Sequence, residues 1–475
     1  MRVTRIGWIA VGVLVLWGEG ALRAHNAEWE VQAPSLTQHQ QLARDIFREL
    51  IEINTTHTTG NTTAAAQAMA TRLQTAGYPE GDVQVLGPDP RKGNLVARLH
   101  GTGKREPVLL IAHLDVVEAN RQDWSMDPFT FTERDGYYYG RGTSDIKSGC
   151  ALLVADFIRL KQEGFKPDRD LILALTADEE GGDFNGVDWL LTRHPQLIRA
   201  EYCLNIDGGG GEIKNGRRLL NELQTSEKVY LSFRLEVHNR GGHSSLPEKD
   251  NAIYHLADGL ARLARFEFPV KLNETTRMYF EKMSKIETGE TARDMLAISR
   301  IPTDMLATYR LAMTPFYNAL MRTTCVATQL AAGHAENALP QEARATVNCR
   351  LLPDDSPAEV QQTLVQVLAD DKISVAPIGR PNPSPLSPLR PEVLGSMERI
   401  TAEMWPGVPV VPIMSTGATD GLHLRNAGIP VYGVSGFFDD IDDVRAHGRD
   451  ERIGIREFFD GVEFMYRLIK ALSLP

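Results

Sequence analysis

Residues 171–186 read LILALTADEEGGDFNG, an apolar run that passes directly into three carboxylates and a pair of glycines. Seven residues with almost no polar alternation suit a strand buried on both faces. The same arrangement recurs on either side. PVLLIA (107–112) runs into HLD (113–115), and EYCLNI (201–206) runs into Asp207 and four glycines. Between the first two, residues 148–163 carry apolar side chains at 150, 153, 154, 157 and 158, a helical spacing that Gly164 can stop. A further helix is expected through His194. Strands alternating with helices, each strand apolar throughout, give an α/β fold with a mixed, largely parallel sheet covered by helices on both faces. In such sheets the loops at the C-terminal strand ends converge on the site. His113, Glu179, Glu180 and Asp207 all stand at such ends.

The pattern changes after about residue 214. VYLSFRLEVH (229–238) alternates as an antiparallel strand does, a helix is expected at 250–266, and 284–322 reads as one long helical stretch interrupted by polar residues. Two more alternating strands follow at 323–330 and 342–352. An inserted α+β domain at 216–349 therefore divides a catalytic domain into 25–215 and 350–475. PIGRPNPSPLSPLRP (377–391) is a loop.

At 475 residues the length favours two domains over one, and a net charge of −11 speaks against a nucleic-acid partner. Arg2 and Arg5 precede an apolar run, Ile6 to Trp17, too short for a membrane span of roughly 20 residues. Residues 1–24 read as a secretory signal peptide, implying export to a periplasm or medium and no membrane attachment after cleavage. Leu22 near the cut keeps an uncleaved anchor as the alternative. Of the four cysteines, Cys150 and Cys203 lie in core patterns. Cys325 and Cys349 lie on strand-like runs that could be neighbours, and the sequence leaves their pairing open.

Five side chains of metal-ligand type stand out: His113, Asp145 in GRGTSDIKSG, Glu180, Asp207 and His447 in RAHGRDERI. Two His and three carboxylates suit two Zn²⁺, with Co²⁺ or Mn²⁺ as substitutes, if one carboxylate bridges. Asp115, two residues after His113, can accept the second imidazole N–H and fix the tautomer. Glu179 and Glu180 are adjacent like charges, an arrangement that is costly without a cation; one can ligate and the other serve as a base. His238, His423 and the remaining histidines fit no ligand spacing.

HLD, SDIKSG, DEEGG, NIDGG, GGHSSLP, NALPQEARATVNCRLLP, STGATDG and HGRDERI follow one another in this order. On these motifs the chain resembles the M20 family of metallopeptidases over about residues 35–470. That group includes aminoacylases, succinyl-diaminopimelate desuccinylases and glutamate carboxypeptidases. HGRDERI and the stretch 284–322 look most like the Gly-Xaa carboxypeptidase and carboxypeptidase S branch. The resemblance implies a zinc-peptidase-like sheet with an inserted lid that forms a homodimer. It implies Asp145 as the bridging ligand, His113 with Asp207 and Glu180 with His447 on the two ions, and Glu179 as the general base. It implies that His243 steadies the oxyanion, in dimeric relatives across the subunit boundary. Asn337, Arg350 and the backbone of Gly417, Ala418 and Thr419 would hold a substrate carboxylate. The expected reaction is hydrolysis of the amide bond of a peptide, or of an N-acyl amino acid, with a free C-terminal carboxylate. The rival readings are a dedicated N-acyl-amino-acid amidase and a non-catalytic peptide-binding protein; the complete ligand set with Glu179 weighs against the latter.

Overall fold

The apolar runs form the centre of a ten-stranded sheet. In spatial order its strands are Val83–Leu86, Asn94–Leu99, Leu171–Thr176, Val108–His113, Tyr202–Asn205, Val431–Gly433, Arg217–Glu227, Gly210–Lys214 and Phe438–Asp440, with Val410–Ser415 also paired to Arg217–Glu227. The three strands that carry the motifs lie side by side and run parallel, Val108 opposite both Leu171 and Tyr202. Antiparallel pairs occur toward the edges, at Val83–Leu86 with Asn94–Leu99 and at Gly210–Lys214 with Arg217–Glu227. All six residues of Val108–His113 and of Leu171–Thr176, and all four of Tyr202–Asn205, are buried. Leu109 and Ile111 meet Val187, Leu190 and Leu424 of the helices on one face. Helix Lys147–Gln162 covers the other face, between helices Gln38–Glu52 and Ile455–Ser473. Phe47, Tyr138 and Phe458 interlock there, with Phe47 and Phe458 stacked at 4.7 Å. Each aromatic ring buried in this way contributes about 1.5–3 kcal/mol.

This computed structural model describes residues 36–474 apart from 302 and 381. The expected signal peptide, 1–24, lies outside the described residues. Residues 38–474 form one compact unit. Among the described residues no helix is long and apolar enough to cross a membrane.

A second, four-stranded antiparallel sheet is ordered Thr324–Ala332, Glu342–Leu351, Val229–His238, Ser374–Ile378. Val229, Leu231, Phe233, Leu235 and Val237 face inward onto helices Ala252–Leu263 and Pro357–Leu368, as the alternation of VYLSFRLEVH requires. Cys325 and Cys349 are directly opposed on neighbouring strands and form a disulfide.

The elements do not follow the boundaries expected at 216 and 349. Arg217–Glu227 belongs to the large sheet, and Pro357–Leu368 and Ser374–Ile378 belong with the small one. The stretch 284–322, expected as one long helical run, is divided among Gly289–Ser299, Met305–Ala312 and Pro315–Met321, and a fourth helix, Glu274–Met283, precedes it. Gly289, at φ 68°, begins one of these helices, and Asp304 caps another by accepting from Leu306 and Ala307 N–H. Phe280, Met295, Ile298 and Leu311 pack with Leu220, Val411 and Met414, that is, against the large sheet. The chain thus leaves the large sheet, builds part of the small sheet, returns with four helices, and crosses again.

Candidate active site

Asp145 stands between the two histidines. Its Oδ1 is 3.1 Å from His113 Nε2 and its Oδ2 is 3.0 Å from His447 Nε2. His113 Nε2 is also 3.7 Å from Asp207 Oδ1, and His447 Nε2 is 2.9 Å from Glu180 Oε1. The ligand atoms of His113, Asp145 and Glu180 lie within 4.8 Å of one another, as do those of His113, Glu179 and Asp207. These triads divide the cluster differently from the contact pairs. The pairs, with one His on each Asp145 oxygen, define two centres more directly.

His113 is buried, and its Nδ1 is 3.0 Å from the Asp115 backbone carbonyl. A carbonyl only accepts, so Nδ1 carries the proton and Nε2 presents its lone pair to the cluster. The sequence reading gave this job to the Asp115 carboxylate, which stands 3.7 Å away. That carboxylate instead accepts from the backbone N–H of Glu179 (3.2 Å) and Glu180 (3.0 Å), holding the DEE loop against the HLD loop.

The charges fit cations. Burial, opposed by His113 and aided by Asp207, Asp420 and Glu180, pushes the Glu179 carboxyl up to about 10. Burial and then Asp145 push Glu180 to about 7, and burial, outweighing the pull of His113, pushes Asp207 to about 6. Burial would raise Asp145 too, but hydrogen bonds from His113 and His447 outweigh it and hold it below the usual carboxylate range. The Asp145 hydrogen bond raises His447 to about 9. A cluster this rich in acid stabilises positive charge, from protons or from metal ions.

Several residues that the sequence reading passed over hold this arrangement. Glu451 is fully buried. Its Oε1 accepts from the N–H of Ser144 (2.7 Å) and Asp145 (3.0 Å), its Oε2 from that of Gly142 (3.0 Å), and Arg141 pairs with it at 2.5 Å. Arg141 also donates to the carbonyls of His447 (3.3 Å) and Gly448 (3.0 Å). One ion pair therefore joins the loop of Asp145 to the loop of His447. Asp420 accepts from Asn185 (2.6 Å) and Thr176 (3.1 Å) beneath the cluster. Asp178, the residue before Glu179, is buried and paired with Lys92 at 2.5 Å.

The expected substrate groups are placed less directly. His243 is exposed on the two-residue strand Gly242–His243, paired to Ala338–Leu339, and its Nδ1 lies 2.7 Å from Ser245 Oγ. The Asn337 carbonyl accepts from Ser244 N–H in the same hairpin. Arg350 lies on the small sheet with its guanidinium 4.7 Å above the Tyr230 ring. No contact joins these three to the His–carboxylate cluster among the described residues. In the STGATDG loop, Gly417 N–H donates to Ser415 Oγ, and Thr419 N–H and Oγ donate to the buried Glu227 at 3.1 and 3.0 Å. Of the three expected amides, only that of Ala418 has no partner among the described residues. His238, read as fitting no ligand spacing, comes within ligand reach of Glu236 and Glu342 on the small sheet. A cavity of about 680 Å³, lined by Lys214, Arg217, Arg218, Lys282 and Lys285 among others, includes none of the cluster.

Residues 109–471 match the model of peptidase family M20/M25/M40. The chain belongs to that family, and it is an amidohydrolase of the metallopeptidase type. It is 28% identical to the human N-fatty-acyl-amino acid synthase/hydrolase PM20D1 over 375 residues, 77% of this chain and 74% of that one. It is 29% identical over 373 residues to a probable carboxypeptidase S-like 2 of Dictyostelium discoideum, covering 77% and 71%. Its fold matches the M20 family metallo-carboxypeptidase Sso-CP2 of Sulfolobus solfataricus, with TM-score 0.66, 18% identity and coverage of 90% and 99%. It also matches the Bacillus subtilis YXEP protein, described as a dinuclear metal binding peptidase, with TM-score 0.57, 11% identity and coverage of 91% and 98%.

Proposed function

We propose that the protein is a two-cation hydrolase that cleaves the amide bond of peptides or N-acyl amino acids with a free C-terminal carboxylate. The observation that carries this reading is Asp145, whose two oxygens each face one histidine Nε2. His113 and Asp207 would hold one cation, Glu180 and His447 the other, with Asp145 shared. Bound there, two Zn²⁺ ions would polarise the amide carbonyl and acidify a water. Glu179, beside His113 and Asp207, would take a proton from that water and deliver it to the leaving nitrogen. Its carboxyl, crowded by neighbouring acids, would ionise beside the cations. His243, Asn337 and Arg350 would act once the small sheet and its helices, serving as lid and dimer surface, bring them over the site. The disulfide between Cys325 and Cys349 supports export through a signal peptide, since such bonds persist in oxidising compartments.

The relatives support both acyl classes. The carboxypeptidase S-like protein favours peptides, and the fatty-acyl-amino acid hydrolase favours N-acyl amino acids. Steady-state rates of the zinc-loaded protein on Gly-Xaa dipeptides and on N-acyl amino acids of rising chain length test the reading. Hydrolysis of either class that chelation stops supports it. No hydrolysis of either class, with two cations bound, overturns it.

A further inference from the structure

Three of the four passages of the chain between the large and small sheets meet at Glu227 and Lys228, the exception being the return from helix Ala252–Leu263 to helix Glu274–Met283. Strand Arg217–Glu227 ends the large sheet and Val229–His238 opens the small one, so Lys228 is the whole first connection. The second of the three, from helix Pro315–Met321 to strand Thr324–Ala332, is held by the buried Lys228, whose Nζ donates to the Arg322 carbonyl at 2.7 Å. The third follows Ser374–Ile378. There Ser384 Oγ donates to Glu227 Oε1 at 2.8 Å, and Ser387 N–H donates to the Thr225 carbonyl at 2.9 Å.

Glu227 is also the anchor of the STGATDG loop. Its Oε2 accepts both Thr419 N–H and Thr419 Oγ–H, and its Oε1 pairs with Arg425 at 2.9 Å. Lys228 N–H donates to the Ser415 carbonyl at 3.0 Å. The loop is therefore held at both ends by adjacent residues of the inter-sheet connection. Of the three amides expected to bind substrate, that of Ala418, without a partner among the described residues, lies between those two holds.

We infer that Glu227 is a positioning residue for recognition of the substrate carboxylate, fixing the 415–419 loop and tying it to the connection about which the small sheet moves. This rests on the proposed role of that loop in binding a free C-terminal carboxylate. A carboxylate that accepts a backbone N–H and a hydroxyl while facing a guanidinium holds a loop more firmly than neutral groups do. It also explains an acidic side chain that is fully buried yet, among the described residues, bonds none of the histidines and carboxylates of the cluster.

The test compares kcat/KM on a dipeptide with that on its C-terminal amide, for wild type and Glu227→Gln, both loaded with zinc to equal content. The wild-type preference for the free acid is expected to fall at least tenfold in Glu227→Gln, mostly through KM of the acid. A merely structural role would lower both substrates together and keep the ratio. An unchanged ratio in the variant therefore overturns the inference. A wild type with no preference for the acid overturns the carboxylate reading itself, and this inference with it. Should Glu227→Gln fail to fold, Glu227→Gln/Arg425→Met removes both buried charges at once, and the same ratio decides.

Discussion

Glu451 offers a perturbation whose effect can be worked from its contacts. Glu451→Gln keeps the shape but removes the charge. Three backbone N–H groups, of Gly142, Ser144 and Asp145, and the Arg141 guanidinium now converge on those two oxygens. A glutamine can offer its single oxygen to only some of these donors, and its NH₂ must face the rest. Arg141, buried, is left without its counter-charge, and breaking such a pair from one side costs about 3–5 kcal/mol. The strain falls on the loop that carries Asp145. Loss of a residue that holds a ligand loop typically weakens cation affinity about 10–100-fold, even though every ligand remains. The assay is competition for Zn²⁺ against a chromophoric chelator, beside a thermal melt of the same samples. We expect tighter-binding wild type, weaker Glu451→Gln, and a lower melting temperature for the variant. Adding Arg141→Met should recover part of the stability but not the affinity, because the amide contacts stay broken. Wild-type affinity in Glu451→Gln would refute the claim that this carboxylate sets the bridging ligand.

Further expectations are as direct. Glu179→Ala should lose about 10²–10⁴-fold in turnover with cation content unchanged, whereas His113→Ala and Asp207→Ala should lose cations as well; elemental analysis beside activity decides, and equal cation loss in all three would reject the base. Hydrogen bonding to Asp370 raises the pKa of His255, with burial opposing and Asp250 assisting. A raised base stabilises the fold fully below its unfolded value of about 6.5 and loses that contribution as pH rises through the folded value. The melting temperature of wild type should therefore exceed that of His255→Gln most at acid pH, with the gap closing toward alkaline pH. Cys325→Ser/Cys349→Ser opens a loop of 24 residues and should cost about 3 kcal/mol, read as faster proteolysis of the small sheet. Mixing His243→Ala with Glu179→Ala, with subunit exchange confirmed, should restore activity if His243 serves the partner's site; no recovery would confine it to its own chain.

What the sequence made legible were features with a local signature. The three buried runs, each ending in a ligand-type residue, can be read because strand burial and strand end are both written along a few consecutive positions. The alternation of 229–238 named its inward face for the same reason. The supporting carboxylates left no such trace. Glu451 bonds backbone amides 306 to 309 residues away, and Glu227 meets Thr419 across 192. Backbone donors have no side-chain identity to read. Asp115 was assigned the right neighbourhood and the wrong atom, because at spacing i, i+2 either its carbonyl or its carboxylate can reach the imidazole. The stretch 284–322 was read as one helix since its apolar spacing continues across the breaks, and its return to the large sheet depends on Leu220, Val411 and Met414, far away in the chain.

The central claim is a pair of cations bridged by Asp145, and a crystal structure of the zinc-loaded protein with anomalous scattering at the zinc edge tests it most directly. The account predicts two peaks about 3.5–4 Å apart, with Asp145 touching both, His113 and Asp207 on one, and Glu180 and His447 on the other. A single peak, or two peaks with Asp145 bound to only one, would contradict it.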